Sequence, residues 1–270
     1  MRMAVSQFGP VLLIELRLIL GTVFLMPLVF LRGDFNALCQ NAAQIVIVGI
    51  INAALPFTLL AYATLSVTAG FVAILNATTP LFGAIIAVLW LKERISIIRI
   101  IGLVIGFSGV VLLVWGKASF KPGGNGLAIL AALTATLLYG IGSNYSKKKL
   151  FNVSPLIIAC GSQLGGALFL LPPALLLLPA KMPSFSAIMA VVSLGVICTG
   201  IAYILFYQLV ANAGAAKAMT VTFLIPVFAM VFGYLFLTET VTLNMMVGCA
   251  IILLGTGLAT GLIRLDRIKK

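Results

Sequence analysis

The sequence predicts an all-α integral membrane protein with about nine transmembrane helices. Of the 270 residues, 63% are hydrophobic and 8% are charged, and the mean hydropathy is +1.26. A soluble domain carries roughly 25% charged residues, so this chain would expose a largely apolar surface to water. Apolar runs long enough to cross a hydrocarbon core of about 30 Å recur along the whole chain. The bilayer is therefore the expected solvent.

Clusters of polar, charged, Gly or Pro residues divide the chain into nine apolar segments. The first segment is too long for the core of a signal peptide and is followed by further spans, so we expect it to be retained. The nine predicted segments are residues 10–31, 43–64, 67–91, 95–116, 126–146, 154–178, 184–210, 214–238 and 241–263.

The formal charge of +12 comes from 17 Lys and Arg against 5 Asp and Glu. Twelve of the basic residues fall in loops on one side of the predicted spans and four on the other, while Arg17 lies within a span. Basic residues at helix ends set orientation, which places the C-terminus in the cytoplasm. Because orientation accounts for the positive charge, we expect no nucleic-acid partner. We expect a multi-pass protein of the bacterial inner membrane, with the lipid bilayer as its partner.

Catalytic and metal-binding classes find little support in the composition. The chain has no histidine, which excludes His-based triads, His metal sites and haem ligation by His. Its four cysteines are scattered without CxxC spacing, so no metal site and no cofactor is expected. The Gly-rich loop from Lys121 to Gly126 lacks the Gly-Lys-Ser/Thr ending of a phosphate-binding loop. An enzyme is not predicted.

A constant spacing indicates an internal duplication. Pro80 and Pro226 are 146 positions apart (226 − 80), and Glu93 and Glu239 have the same offset. The offset also pairs glycines, namely Gly102 with Gly248, Gly109 with Gly255 and Gly49 with Gly195. Chance alignment of two apolar runs would not match Pro, Glu and Gly together across four helices.

The duplication predicts two inverted repeats, residues 1–120 and 121–270. Each repeat advances the chain by five helices, and an odd number places the two copies in opposite orientations. Inverted repeats are the architecture of many secondary transporters, whose substrate site lies between the copies near the midplane. The fifth segment has no partner within the chain, so we expect that the first helix of the first repeat is missing from this sequence.

The motifs of both copies resemble the EamA-type exporter branch of the drug/metabolite transporter superfamily. The resemblance rests on Asn76-Ala-Thr-Thr-Pro80-Leu-Phe and Trp90-Leu-Lys-Glu93-Arg, repeated as Leu224-Ile-Pro226-Val-Phe and Leu237-Thr-Glu239-Thr. It implies ten helices in two inverted five-helix repeats. It also implies a secondary transporter, an exporter of small metabolites such as amino acids, that works by alternating access.

Polar residues inside the spans are the candidates for substrate contact. Charge within an apolar span is costly and indicates function, which applies to Glu15 and Arg17, and Arg17 could bind a substrate carboxylate or extend to the interface. The cavity implied by the resemblance favours five lining residues, for which bonding between helices is the alternative role: Asn76, Tyr139, Tyr203, Tyr207 and Thr222.

Two further pairs have positions that suggest a role. Pro80 and Pro226 are predicted to lie in mid-helix, where a kink would serve gating or static packing. Glu93 and Glu239 are predicted to be structural acids at helix ends, either capping the following helix or pairing with a neighbouring base.

One alternative function of a different class stays open. The missing first helix would also fit a truncated, non-transporting membrane scaffold or an inactive paralogue. A small-molecule substrate is the partner expected of a transporter, and a homodimer is kept open as its assembly.

Overall fold

The computed structural model describes residues 1–32, 35–116, 118–121, 123–213 and 219–263, and the regular structure in these ranges is helical. The helices, numbered in chain order, are α1 Arg2–Leu31, α2 Phe35–Gln40, α3 Ala42–Ala63, α4 Ala69–Leu91, α5 Ile97–Val114, α6 Gly126–Lys149, α7 Pro155–Leu176, α8 185–213, α9 Thr220–Leu237 and α10 Leu243–Ala259.

Each of the nine predicted segments is matched by one of these helices. Within the described residues, eight helices have the length and composition to cross a membrane, and α10 is a shorter apolar helix. The prediction of a multi-pass helical membrane protein is therefore confirmed. Helix α1 begins earlier than predicted, but its backbone leaves helical geometry at Gly9 (φ 71°, ψ 162°). A kink thus separates the first turns from the predicted span that starts at Pro10.

The chain forms two compact units, each built from two separate stretches of sequence. Unit 1 contains Met1–Leu65 and Tyr145–Ala218, and unit 2 contains Ser66–Asn144 and Met219–Lys270. A shift of 146 positions carries residues 1–65 onto 147–211, within the second stretch of unit 1. Each unit therefore combines corresponding stretches of the two predicted repeats. The division at residue 120 concerns the sequence and stays a prediction.

The core of unit 1 forms where α1 packs against α3, α7 and α8. Helices α3 and α7 approach so closely that a Cβ atom on Gly49 would lie 2.5 Å from the Ser162 carbonyl oxygen and 2.7 Å from the Gly166 nitrogen. Small residues allow such contact between the backbones of membrane helices. The Gly-rich segment of α7 therefore serves close packing.

Unit 2 is organised around the crossing of α5 and α10. A Cβ atom on Gly255 would overlap the backbone of Gly106, and one on Gly102 would overlap the Ala259 nitrogen. Elsewhere in this unit, the Asn144 amide of α6 donates to the Gly83 carbonyl of α4 at 2.9 Å. Backbone contact at these points fixes the positions of the helices that carry the polar residues of unit 2.

Local backbone geometry recurs at the 146-residue offset. Helix α3 contains a π turn at Ile50–Ala54, and α8 contains one at Val196–Ile201. Helices α4 and α9 both end in a left-handed residue, Lys92 (φ 54°) and Thr238 (φ 50°). The spacing that predicts the duplication therefore has a counterpart in the backbone.

The following helices also begin alike in the two copies. The Ser96 hydroxyl accepts a hydrogen bond from the Arg99 N–H at the start of α5, and the Thr242 hydroxyl accepts one from the Met245 N–H at the start of α10. Such N-caps satisfy backbone donors that have no partner within the helix.

The prediction that Pro80 and Pro226 lie in mid-helix is wrong. The first part of α4 ends at Asn76 and a new helical stretch begins at Thr79, which places Pro80 in its first turn. Pro226 likewise lies in the first turn of the stretch from Leu224, after a 3₁₀ turn at Met219–Phe223. Proline is tolerated there because the N–H it lacks would have no helical acceptor. Both spans are thus discontinuous at equivalent places.

Candidate functional site

Helix α1 of unit 1 carries two charged side chains within its apolar span, Glu15 and Arg17. Glu15 is 2% exposed, whereas Arg17 is half-buried. Residues two apart on an α-helix point about 200° apart. The two side chains therefore meet different neighbours, as expected from the sequence.

Arg17 is held by two neutral groups of unit 1. Its Nε donates a hydrogen bond to Thr199 Oγ1 at 3.0 Å, and its guanidinium carbon lies 3.8 Å from the centroid of the Phe57 ring. A desolvated cation–π contact contributes about 2 kcal/mol. These two contacts orient the guanidinium of Arg17 within unit 1.

The π turn of α8 explains how Thr199 can receive this bond. The Thr199 hydroxyl donates to the Leu194 carbonyl oxygen, five residues earlier, at 2.8 Å. That bond directs the oxygen lone pairs away from the turn, where the Arg17 Nε–H reaches one of them. π turns inside α-helices are frequent at functional sites.

Gln163 of α7 and Tyr203 of α8 adjoin the same place. A Cβ atom on Gly21 would lie 2.9 Å from Thr199 Cγ2 and 3.8 Å from Gln163 Cδ, so both side chains lie beside this glycine. Tyr203 interacts with both Arg17 and Gln163. The Nε2 and Oε1 atoms of Gln163 do not reach regular hydrogen-bond geometry with a neighbour, and this includes the contact with Tyr203. We call Arg17, Phe57, Gln163, Thr199 and Tyr203 the Arg17 cluster.

Unit 1 also concentrates the unsatisfied polar atoms of the described part of the chain. The buried side-chain atoms without a hydrogen-bond partner belong to four residues, all in unit 1: Glu15, Asn52, Thr58 and Gln163. Buried polar groups are nearly always paired in native proteins, so an unpaired group calls for a ligand, water or strain as its explanation. All four residues lie in the unit that also contains the Arg17 cluster.

The other predicted lining residues divide between the two units. Tyr203 joins Arg17 in unit 1, whereas Asn76, Tyr139 and Thr222 belong to unit 2. Tyr207 lies on α8, but its side chain is outside the described residues. The structure therefore brings two of the predicted lining residues together, Arg17 and Tyr203.

The break in α4 gathers hydroxyl groups around freed carbonyls in unit 2. The Thr79 hydroxyl donates to the Asn76 carbonyl oxygen at 2.8 Å, and the Thr78 hydroxyl donates to the Leu75 carbonyl oxygen at 2.7 Å. Thr256 of α10 donates to the Ala77 carbonyl oxygen at 3.3 Å. These bonds satisfy the backbone where the helix is interrupted, which water cannot do in a bilayer.

Glu239 has a capping role, but at a different helix from the predicted one. Its two carboxylate oxygens accept bonds from the Ala69 N–H at 2.9 Å and the Gly70 N–H at 3.3 Å, at the start of α4. The helix after Glu239 is capped by Thr242 instead. Negative charge at a helix N-terminus is favourable. Glu93, its counterpart, follows the left-handed end of α4, and its N–H donates to the Ala87 carbonyl oxygen at 3.3 Å.

Sequence reasoning missed three members of the cluster as site residues. Gln163 has the Arg17 position in the second copy, and Tyr203 has the Phe57 position, so the 146-residue offset could have indicated these pairs. Thr199 gave no such signal, since its role depends on a π turn that changes which side of α8 it occupies.

The chain is similar to a family of transport proteins over most of its length. A model of the EamA-like transporter family matches residues 1–115 and 126–261. The uncharacterized transporter YoaV of Bacillus subtilis is 25% identical over 259 residues, which cover 94% of this chain and 88% of that protein. A probable terminal-alkyne amino-acid exporter of Streptantibioticus cattleyicolor is 28% identical over 188 residues, 67% of this chain and 60% of that protein.

A solved crystal structure has the same fold. It superposes with a TM-score of 0.69 at 20% sequence identity. The alignment covers 99% of this chain and 93% of the chain in the solved structure. At that identity the likeness concerns the arrangement of the helices.

Proposed function

We propose that this chain, which belongs to the EamA-like transporter family, is a secondary transporter of small carboxylate-bearing metabolites such as amino acids. In this proposal Arg17 binds the substrate carboxylate. Transport proceeds by alternating access across the bacterial inner membrane, with the C-terminus in the cytoplasm.

The observation that carries the proposal is the arrangement of Arg17 in unit 1. A guanidinium within an apolar span is costly, and its contacts with Thr199 and Phe57 position it in unit 1. Guanidinium matches the planar, two-oxygen geometry of a carboxylate better than any other side chain does. An anionic group of the substrate would lower the cost of the buried charge during passage.

Two features support alternating access. The α4 and α9 spans are interrupted at equivalent places, and discontinuous helices often form the substrate sites of secondary transporters. The π turns of α3 and α8 recur at the same offset and provide the local irregularity at which helices bend. Tyr203 and Tyr207 of unit 1 stay proposed substrate contacts, and so, within unit 2, do Asn76, Tyr139 and Thr222.

Export is the proposed direction because one named relative is a probable amino-acid exporter. The proposed orientation follows from the excess of Lys and Arg on one side, which includes the Lys147-Lys148-Lys149 run at the end of α6. Those three residues form the last turn of that helix.

Uptake into proteoliposomes tests the proposal. Purified protein would be reconstituted and offered four labelled pools: amino acids, hydroxy acids, neutral sugars and amines without a carboxylate. We expect saturable uptake of carboxylate-bearing compounds above the level of protein-free liposomes.

Two outcomes would count against the proposal in different ways. Saturable uptake of sugars or amines alone would contradict carboxylate recognition by Arg17 while retaining transport. If folded protein takes up none of the pools, the non-transporting scaffold becomes the better account. Melting and gel-filtration profiles of the same preparation would establish that it is folded.

A further inference from the structure

Four exposed basic residues of unit 1 come from two separate parts of the sequence. Arg32 directly follows α1, and Lys147, Lys148 and Lys149 form the last turn of α6. All four side chains are exposed. Of the five acidic residues in the chain, only Asp34 is close to any of them in sequence, and it lies outside the described residues. Positive charge therefore exceeds negative charge in these two parts of the chain.

A small apolar cluster brings the two parts together. Leu38 of α2, Leu150 just after α6 and Ile157 of α7 are all buried in it. Helix α2 begins three residues after Arg32, and Leu150 directly follows Lys149, so both groups of basic residues border the cluster. Arg32 and the lysine run therefore lie at the same end of unit 1.

Large apolar side chains are exposed beside the basic residues. Leu31 is 83% exposed directly before Arg32, and Phe151 is 77% exposed just after the lysine run. The exposed rings of Phe30 and Phe35 stack with their centroids 4.9 Å apart, which places the end of α1 against the start of α2. A ligand bound at this end of unit 1 would thus meet positive charge and apolar surface together.

We infer that this end of unit 1 is a binding surface for anionic phospholipids, such as phosphatidylglycerol. The basic side chains bind the lipid phosphate, and the exposed apolar side chains contact the acyl chains near the headgroup. Anionic lipids attract basic residues that directly flank a membrane helix. The surface lies outside the Arg17 cluster, and its lipid does not depend on the proposed transport.

The combination of charge and apolar surface favours a lipid over a soluble anion. Free phosphate would bind the basic groups but would leave Leu31 and Phe151 in contact with water, whereas acyl chains cover such side chains. Arg32 follows the last turn of one span and Lys149 ends another. Basic residues at the ends of spans lie where headgroups meet the hydrocarbon core.

The corresponding place in the second copy lacks these features. A shift of 146 positions carries Arg32 onto Leu178 and Phe35 onto Lys181. The connection there, residues 177–184, contains no helix, and Lys181 is its only basic residue. The basic surface is thus a feature of one copy and is not required by the fold that the copies share.

Native mass spectrometry of the full chain in a neutral detergent tests the inference, because it resolves the binding of single lipid molecules. Phosphatidylglycerol and phosphatidylcholine with the same acyl chains would be titrated in parallel. We expect the first phosphatidylglycerol to bind about ten or more times as tightly as the first phosphatidylcholine. Equal affinity for the two lipids would overturn the inference.

Two single variants assign this preference to the surface. Arg32→Gln and Lys149→Gln each remove one charge, so each should weaken phosphatidylglycerol binding about fivefold and leave phosphatidylcholine binding unchanged. Arg94→Gln and Lys92→Gln are the matched controls, since both residues are exposed in unit 2 and Glu93 lies between them in the sequence. The controls should keep the wild-type affinity. Equal weakening in all four variants would indicate general attraction to positive charge and would overturn the inference.

Inorganic phosphate separates lipid binding from anion binding. At the concentration of the lipid and at constant ionic strength, it should leave phosphatidylglycerol bound, because it has no acyl chains to cover the apolar side chains. Displacement of the lipid by free phosphate would overturn the assignment to phospholipid.

Melting temperatures of the lipid-free variants distinguish lipid binding from a structural role. Both substituted residues are exposed, so Arg32→Gln and Lys149→Gln should melt at the wild-type temperature. A marked fall in melting temperature for both variants would mean that these side chains support the fold, which contradicts their assignment to the lipid surface.

Discussion

The Nε of Arg17 lies 3.0 Å from the hydroxyl oxygen of Thr199, a residue 182 positions further along the chain. The bond joins the span of α1 to the π turn of α8 within unit 1. Thr199 is almost fully buried, and its hydroxyl also donates to the Leu194 carbonyl oxygen. One hydroxyl group therefore links the Arg17 side chain of α1 to the backbone of the π turn in α8.

Thr199→Val is expected to weaken substrate binding without removing transport. Valine keeps the shape of threonine but loses the acceptor for the Arg17 Nε–H, so the guanidinium is held less firmly. A single hydrogen bond contributes about 0.5–1.5 kcal/mol, which corresponds to a rise in KM of roughly two- to tenfold. The measurement is the concentration dependence of uptake in proteoliposomes.

Thr134→Val is the matched control for this variant. Thr134 is exposed on α6, and its hydroxyl bonds only to the Leu130 carbonyl oxygen of its own helix. Its KM should equal that of the wild type. An equal change of KM in both variants would mean that the Thr199 bond has no special role.

Glu239 should contribute to stability through the start of α4. Glu239→Ala removes both acceptors for the Ala69 and Gly70 N–H groups, and loss of an N-cap costs about 0.5–2 kcal/mol. Glu239→Gln keeps one acceptor and should be intermediate. Thermal unfolding of the solubilised variants gives the order, and an alanine variant as stable as the wild type would refute this role.

The crossing of α5 and α10 should tolerate no added side chain at Gly255. A Cβ atom there would overlap the Gly106 backbone, so Gly255→Ala must separate the helices at a cost of about 1–3 kcal/mol or more. Gly83→Ala is the control, because the nearest atom to its added Cβ, Gly140 Cα, is 4.0 Å away. Melting temperatures should fall for Gly255→Ala and stay near the wild-type value for Gly83→Ala.

Glu15→Gln is expected to keep or raise stability. The Glu15 Oε2 is buried without a hydrogen-bond partner, and a charge in such surroundings is costly. The amide has the same size and removes that cost. A large fall in melting temperature would show that the carboxyl group has a partner that supports the fold. If the variant transports normally at every pH, Glu15 carries no transported proton.

The sequence predicted the nine helices because each apolar segment ends at polar or glycine-rich breaks that also end a membrane helix. It predicted that Glu239 could cap a helix, but it indicated the wrong helix. The helix that Glu239 caps begins at Ala69, 170 positions earlier, and sequence patterns do not identify such a distant partner. Local motifs thus gave the elements, while contacts between them needed the structure.

The positions of the two prolines within their helices were not predicted correctly from the local sequence. The sequence predicts that Pro80 and Pro226 bend continuous helices because both fall inside predicted spans, residues 67–91 and 214–238. The backbone instead begins a new helical stretch at each proline. Hydroxyl groups of Thr78 and Thr79 bond to the carbonyls released by the interruption in α4, and threonine in an apolar run gives no sign of that role.

The candidate site was predicted in part. The prediction of Arg17 rests on the rarity of charge within a span, and that of Tyr203 on the cavity that the family resemblance implies. The cluster around them depends on the π turn at Val196–Ile201, which one extra residue per turn creates and hydrophobic periodicity does not reveal. Phe57 was missed because an apolar ring does not indicate a cation contact from sequence.

The most direct test of the central claim is the KM of labelled carboxylate uptake by Arg17→Gln in proteoliposomes. Glutamine is the residue at the equivalent position of the second copy, and Arg94→Gln, at an exposed position in the connection between α4 and α5, is the control. Loss of a charge-assisted bond of about 1.5–3 kcal/mol predicts a KM raised at least tenfold for Arg17→Gln and unchanged for Arg94→Gln. A KM of Arg17→Gln within twofold of the wild type would contradict substrate binding at Arg17.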